Sequence, residues 1–437
     1  MSEKQQPSDP DNPHDTRLLK RNIYLFYAYQ AFATPGWLIP IVVIFFTQWH
    51  GMSNFEALLI LALYSLYVGI SEVPTGVVAD KYSRKISIII GSLLLIVGTM
   101  GQYFASSFWL VNIATFLMGV GQSFRSGADQ ALIYDSLKDL KATKSYGKII
   151  ARTTTLQLAV TSLTIYIGGH LGTWDFFTQH SKFFDINPYF VLFALSSLWY
   201  LISAIIVAFM KEPHTSKKAR DLMHSNYLTH LKESYRYVVS RESIRNALMY
   251  LILFGGIFRA LAQSLGWVVQ PVLLDLGYTS EGIGTIATLV MISFGVGYFL
   301  YPLLEKRLET YKILFFSMVA STGLLVLWTT AYTRYVTIFV AVFIGGLVSM
   351  MTVALNHMIN DRTDSGKRST VLSFASLVAR AYSVILLGVA GLSADKISTR
   401  GSLVWVAFVS VVAMGALQYG LWESRRLEEG KSSVFGG

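Results

Sequence analysis

Long apolar runs separated by short polar breaks dominate the chain. Runs at about 23–46, 55–78, 86–104, 108–134, 153–171 and 189–210 precede a polar stretch at 211–245, and runs at about 247–273, 283–304, 313–332, 336–359, 371–394 and 402–422 follow it. Each approaches the roughly 20 residues a helix needs to cross hydrocarbon, and none shows the short alternating pattern of a barrel strand. The pattern predicts an all-α membrane protein with twelve transmembrane helices. They fall into two six-helix bundles, 22–210 and 246–422, joined by a linker at 211–245 and flanked by polar tails at 1–21 and 423–437. Pro7, Pro10 and Pro13 make the first tail read as disordered, with no cleavable signal peptide. Pro35-Gly36 and Pro40 break the first run, and 230–239 reads as a helix lying on the membrane surface.

Composition agrees with this picture. Over 437 residues, 53% hydrophobic and 14% charged side chains exclude a soluble enzyme of this size. Cysteine is absent, which rules out disulfides and thiolate metal sites, and neither a metal nor a cofactor is expected. The net charge of +10 could suggest nucleic acid, but its placement argues for a membrane surface. Of 36 Lys and Arg, 29 fall in loops on one side, 4 on the other and 3 inside runs. That asymmetry puts both termini in the cytoplasm, with the bilayer as partner and nucleic acid excluded.

The halves read as repeats. Gly119-Val-Gly121, Ala131 to Asp135 and Ala151-Arg152 are echoed by Gly345-Gly346, His357 to Asp361 and Ala379-Arg380, at separations of 226 to 228. Pro35-Gly-Trp37 is echoed by Leu265-Gly-Trp267, and Glu305-Lys-Arg307 sits where Asp80-Lys81 would fall. Their common offset and order favour duplication, so the two bundles are expected to be pseudo-symmetric.

The most informative polar break is Ser71-Glu-Val-Pro-Thr-Gly76-Val-Val-Ala-Asp80-Lys-Tyr-Ser-Arg84-Lys85. A glycine that admits a neighbouring helix, one carboxylate and several cations describe a short hairpin held on the positive side of the membrane. The stretch resembles the G-x-x-x-D-(R/K)-x-G-R-(R/K) hairpin of the major facilitator superfamily, departing from it at Ser83. The run Phe124-Arg-Ser-Gly127-Ala-Asp129 to Leu137 is similar to a span of prokaryotic exporter-like members that also carry Glu-(Val/Ile)-Pro-Thr-Gly. The resemblance implies a major facilitator fold, a prokaryotic plasma (inner) membrane and a hairpin that latches a cytoplasmic gate. Where drug/proton antiporters carry Gly-Pro in the fifth span, this chain has Thr164-Ile165.

An ionisable residue inside a span costs several kcal/mol or so and is a functional hypothesis by default. Arg125 and Asp129 stand four apart on what reads as one helix, so they can pair with each other. Alternatively both line a cavity, with Arg125 meeting substrate and Glu72 or Asp129 carrying a proton. Arg259 has no acid on its run and either binds an anion or takes an internal counter-charge. Tyr24, Phe26, Tyr27 and Gln30 in the first span, with Phe254, Phe258, Gln263 and Trp267 in the seventh, read as an aromatic wall or as packing. The expected substrate-binding set is Arg125, Arg259, Gln30, Tyr27, Phe258 and Gln263. The expected cytoplasmic gate comprises Gly76, Asp80, Arg84, Lys85, Asp135, Arg152, Asp361 and Arg380; Arg152 and Arg380, at the starts of spans five and eleven, either face Asp135 and Asp361 or serve as ordinary positive-inside anchors. His170 and His357 near span ends read as wetted.

These readings point to a monomeric secondary transporter of a small solute, coupled to protons and exporting an amphipathic or anionic compound. An importer or exchanger of an anionic metabolite held by Arg125 and Arg259 is the alternative. From other classes, a solute-sensing receptor and a membrane enzyme stay open. The enzyme lacks a cluster of catalytic residues at a membrane face, and Gly430-Lys431-Ser432 lacks the upstream glycine of a phosphate loop.

Overall fold

The structure, a computed structural model, describes residues 13–171, 187–213, 236, 240, 247–363 and 368–432. The side chains of Val73, Val77, Asp80, Lys81, Ala262, residues 368–370 and residues 425–432 lie outside that description, as does the surface helix expected at 230–239 apart from Arg236. The described residues form helices α1 (Pro13–Ala33), α2 (Val42–Ile44), α3 (Asn54–Lys81), α4 (Arg84–Phe104), α5 (Phe108–Arg125), α6 (Ala128–Asp139) and α7 (Tyr146–Leu171). They continue with α8 (Pro188–Ala208), α9 (Leu248–Asp275), α10 (Ser280–Glu305), α11 (Thr310–Thr330), α12 (Arg334–Asp361), α13 (Arg368–Lys396) and α14 (Thr399–Ser432). Among the described residues, nine helices are long and apolar enough to cross a membrane. Those below that hydropathy are α1, the α5–α6 pair and α7, where polar residues and a break interrupt the run.

Two compact units emerge. The first joins Met1–Ile39 to Tyr67–His224, and the second joins Pro40–Leu66 to Ser225–Gly437. The boundary thus falls inside the first two apolar runs as well as in the linker. Helix α3 begins in the second unit and ends in the first.

The first run breaks where its prolines require. Pro35 cannot extend the helix, α1 ends at Ala33, and the backbone groups around the break need partners that lipid cannot offer. Helix α7 supplies them. Thr164 Oγ1 accepts from Gly36 N at 2.9 Å, and Thr161 Oγ1 donates to Thr34 O at 2.9 Å. Gly36 is required here because a Cβ would come within 2.5 Å of Thr161 O. Thr164-Ile165, standing in place of Gly-Pro, therefore has a structural task of its own.

Equivalent contacts in the two units give the sequence echoes a physical meaning. Ser107 and Thr333, 226 residues apart, each cap a helix by accepting from the backbone N–H three residues on. Gln102 donates to Thr115 between α4 and α5, and Trp328 donates to Thr337 between α11 and α12, both at 2.8 Å. Ser92 meets Ser203, and Thr322 meets Ser410, as buried hydroxyl pairs. Gly119 admits Tyr67 and Val68 of α3, whereas Gly345 admits Val290 of α10. Small residues at such crossings allow backbones to approach in lipid, where no hydrophobic drive favours association.

In the second unit, the start of α3 is held by the end of α13. Asp395 accepts from Asn54 N at 3.0 Å, Asn54 Nδ2 at 3.0 Å and Phe55 N at 2.9 Å, capping the helix. Gly391, one turn earlier, has no side chain to keep Phe55 away; a Cβ there would lie 2.6 Å from Phe55 Cα. Gly391-x-x-x-Asp395-Lys396 has the spacing of Gly76-x-x-x-Asp80-Lys81.

Two stability tests follow from these contacts. Thr164→Val leaves Gly36 N without its acceptor and is expected to cost ~1–3 kcal/mol, lowering the unfolding midpoint of the solubilised protein by several degrees. Asp395→Ala uncaps α3 at a cost of ~1 kcal/mol, a smaller drop in the same thermal melt. Unchanged midpoints would show that neither contact holds in solution.

Candidate functional site

The hairpin after α3 is built from three complementary ends. Ser83 is extended at φ −172° and caps α4 by accepting from Ile86 N at 3.2 Å. An extended cap needs a hydroxyl rather than positive φ, which accounts for serine where the resemblance has glycine. Glu212, just beyond α8, accepts from Ser83 Oγ at 2.8 Å, Arg84 N at 3.0 Å and Lys85 N at 3.1 Å, placing a carboxylate on the positive end of α4. Lys85 Nζ in turn donates to Ala208 O at 2.6 Å, the last residue of α8.

Arg84 makes an ion pair with Asp135 and donates to Ala131 O at 2.7 Å, tying the hairpin to α6. This corrects the expected pairing of Asp135 with Arg152, which is exposed and joins no ion pair among the described residues. Arg84 reaches Asp135 because α4 and α6 pack together, whereas Arg152 lies on an outward face of α7. Asn22 completes the assembly, donating to Ser136 Oγ at 3.0 Å and Lys211 O at 2.8 Å and accepting from Lys211 N at 2.9 Å. Gly76 lies on α3 with open space around its Cα, and the Asp80 side chain lies outside the described ones.

The fourth run is not one helix. It breaks at Ser126-Gly127, where Gly127 takes φ +77°, and α6 starts afresh. Arg125 and Asp129 therefore do not share a continuous helix face, and no ion pair joins them. Arg125 is 3% exposed: its Nη2 donates to Ala33 O at 2.7 Å, its Nε donates to Tyr29 Oη at 3.3 Å, and its guanidinium lies 5.5 Å from the rings of Tyr29 and Tyr200. The carbonyl it satisfies is the one left over where α1 stops. Its Nη1 is buried without a hydrogen-bond partner among the described residues, so the side chain sits in the interior of its unit with one nitrogen unspent. Asp129 is partly exposed in the first turn of α6 and accepts from Gln130 N at 2.6 Å and Gln30 Nε2 at 3.4 Å. Glu72 is also partly exposed, one turn before Thr75, whose hydroxyl meets Ser123 at 2.7 Å. Tyr27 packs on the core of this unit, Phe26 is buried against Tyr29, and Tyr24 is exposed.

In the second unit, Arg259 lies about 16 Å along α9 at 1.5 Å per residue. Its Nε and Nη2 are buried without hydrogen-bond partners among the described residues. Arg380 is not at the start of its helix. It lies about 18 Å into α13, correcting its placement at a gate. Its Nη1 donates to Ser65 O at 3.0 Å and Ser65 Oγ at 3.3 Å, and its Nε donates to Ser376 Oγ at 3.3 Å. Asp361 pairs instead with His357, whose other ring nitrogen lies 2.8 Å from Glu305, within reach of Tyr301 and Thr310. Phe258 is 1% exposed and belongs to the core, against its expected place on a binding wall; Gln263 is exposed, one turn beyond Arg259. His170 is partly exposed, with its ring against Tyr166.

Glu212 and Asn22 were not among the expected gate residues, although an acid at the edge of a basic linker and an amide at the mouth of an apolar run were visible in the sequence. Arg380 was placed at a helix start because its run was read as an echo of Ala151-Arg152. Counted along α13, it is a mid-helix cation that is partly buried.

The comparisons with known proteins bear on the fold. The model of the Major Facilitator Superfamily matches residues 23–270 and 252–436. The MFS-type transporter YxaM of Bacillus subtilis (strain 168) is 24% identical over 257 residues, 58% of this chain and 59% of that protein. The transporter BU466 of Buchnera aphidicola subsp. Acyrthosiphon pisum is 23% identical over 208 residues, 48% of each chain. The matched stretches thus span about half to three-fifths of these curated relatives. Among solved structures, the nucleoside transporter NupG superposes with a TM-score of 0.71 at 12% identity, covering 93% of this chain and 98% of that one. A D-xylose-proton symporter gives 0.68 at 11% identity, covering 92% and 96%. Such identities carry the fold and not the substrate. With the family model matched across both halves, and with membrane helices bearing the hairpin and repeats just described, this chain belongs to the Major Facilitator Superfamily.

Proposed function

We propose that this secondary transporter moves a small amphipathic or anionic solute by alternating access and couples the movement to protons, in the direction of export. Twelve spans in two six-helix bundles, with both termini in the cytoplasm, are the arrangement that the loop charges and repeats support. The observation that carries proton coupling is Asp129, a carboxyl inside the fourth span that has an amide and a backbone N–H as partners but no ion pair. A carboxyl held by neutral donors can change its protonation without breaking a salt bridge, which suits a group that takes and releases a proton in turn. Glu72 on α3 is the second carrier. Export rests on the exporter-like Phe124 to Leu137 stretch. The Arg84–Asp135–Glu212 assembly is the cytoplasmic latch, its ion pair and caps being the kind of contact that holds one state and breaks in the other.

A second reading, import or exchange of an anionic metabolite, is favoured by Arg259, whose Nε and Nη2 are buried without a hydrogen-bond partner among the described residues. Arg125 fits it less well, since Ala33 and Tyr29 take its Nη2 and Nε and leave Nη1 alone without a partner among the described residues.

Flux into liposomes separates these readings and tests transport itself. With the purified protein, an imposed pH gradient is expected to drive solute accumulation, with each charge moved worth ~2.3 kcal/mol per 100 mV. Glu72→Gln or Asp129→Asn should cut gradient-driven accumulation by tenfold or more while sparing solute exchange. Flux indifferent to the gradient and to both substitutions would overturn proton coupling, and absence of any flux would favour a receptor.

A further inference from the structure

The pattern that closes α3 occurs a second time. Gly76-Val-Val-Ala-Asp80-Lys-Tyr-Ser83 ends α3, and Gly391-Leu-Ser-Ala-Asp395-Lys-Ile-Ser398 ends α13, so both read Gly-x-x-Ala-Asp-Lys-x-Ser. In each, the helix stops at the lysine and the next one starts just after the serine. That serine has the same task in both: Ser83 caps α4 by accepting from Ile86 N at 3.2 Å, and Ser398 caps α14 by accepting from Gly401 N at 3.0 Å. The copies stand 315 residues apart, whereas the echoes between the halves recur at 226 to 228. Duplication of the halves therefore does not account for the second copy. A shared mechanical task does.

The second copy grips the start of α3. Asp395 accepts from Asn54 N, Asn54 Nδ2 and Phe55 N, and Gly391 lets Phe55 approach, about 39 Å along α3 from Asp80. A seam continues from there. Gly388 is buried, with Phe55 Cε2 3.8 Å from where its Cβ would lie, and Arg380 donates to Ser65 O and Oγ. Phe55 to Ser65 on α3 thus runs antiparallel to Gly391 to Arg380 on α13, over about 15 Å. Beyond Ser65 the helix changes company, and Tyr67 onward belongs to the first unit. The same stripe of α13 changes with it: Gly391 and Gly388 are buried, Arg380 is partly buried, and Ser373, five turns from Gly391, is exposed.

We infer that the Gly391–Ser398 hairpin is the latch of the outer mouth, the counterpart at the far end of α3 of the proposed cytoplasmic hairpin, with Asp395 as its positioning residue. Alternating access needs a contact at each end that holds one state and breaks in the other. A carboxylate on a helix start, at the exposed end of a seam that passes through two glycines, is such a contact. The word latch rests on the alternating-access reading, but the test reads conformation and needs no solute.

The chain has no cysteine, so single thiols report on the seam without background. Gly388→Cys places one inside it, and Ser373→Cys places one at its exposed end. In the full-length protein in detergent micelles, with Asp395 intact, Gly388→Cys is expected to react with a water-soluble maleimide at least tenfold more slowly than Ser373→Cys. Adding Asp395→Ala should speed the Gly388→Cys reaction by roughly fivefold or more and slow that of Ser373→Cys, because opening one end closes the other. Asp395→Asn keeps one acceptor oxygen and should fall between. The unfolding midpoint of each variant reports whether it folds, and if Asp395→Ala does not, the same two rates in Asp395→Asn decide. Fraying of the α3 start alone would speed Gly388→Cys and leave Ser373→Cys unchanged, which overturns the latch. A Gly388→Cys rate indifferent to Asp395 in a folded protein overturns it as well, as do equal rates at the two reporters with Asp395 intact. Failure of flux or of proton coupling in liposomes would count against the transport reading and leave these rates as they are.

Discussion

Hydrocarbon offers no hydrogen-bond partners, so each backbone break and each charge within the spans must be answered by the protein itself. Much of the polar chemistry in this chain is explained by that one constraint. Pro35 stops α1, and the groups it leaves over are taken up by Thr161, Thr164 and Arg125, from helices distant in sequence. Residues that look functional in isolation are thereby divided into those spent on holding the fold and those left for a ligand. Arg125 gives Nη2 and Nε to the fold, whereas Nε and Nη2 of Arg259 are buried without hydrogen-bond partners among the described residues.

The same constraint shapes the helix ends. Glu212 and Asp395 each place a carboxylate on a helix N-terminus, and Lys85 places a cation on a helix C-terminus. Such contacts are local and electrostatic, each worth ~1 kcal/mol, weak enough to be exchanged during a conformational cycle. Helix α3 carries this logic at both of its ends: Asp395 caps its start, and the hairpin braced by Glu212 follows its finish.

Duplication is visible at two levels. In sequence it is a faint series of echoes; in structure it is a set of hydrogen bonds at matching crossings, Gln102–Thr115 with Trp328–Thr337 and Ser92–Ser203 with Thr322–Ser410. The donors differ chemically between the copies, so the crossing is retained while identity drifts. The charges have diverged further. Among the described residues, Glu72 and Asp129 stand within helices of the first unit, whereas Arg259 and Arg380 stand in the middle third of helices of the second.

The amino-acid sequence by itself determined the membrane class, the family and the hairpin that marks it, because twenty-residue apolar runs, loop charge and a short spaced motif depend only on neighbours along the chain. It also placed the break at Pro35. Tertiary structure alone decided which charges meet. Gly127 divided a run that reads as one helix and separated Arg125 from Asp129; Arg84 took Asp135 in place of Arg152; Arg380 met Ser65 from the middle of its helix. Pairing in a bundle depends on rotation and height between helices far apart in sequence, and a single residue at positive φ resets both for everything beyond it.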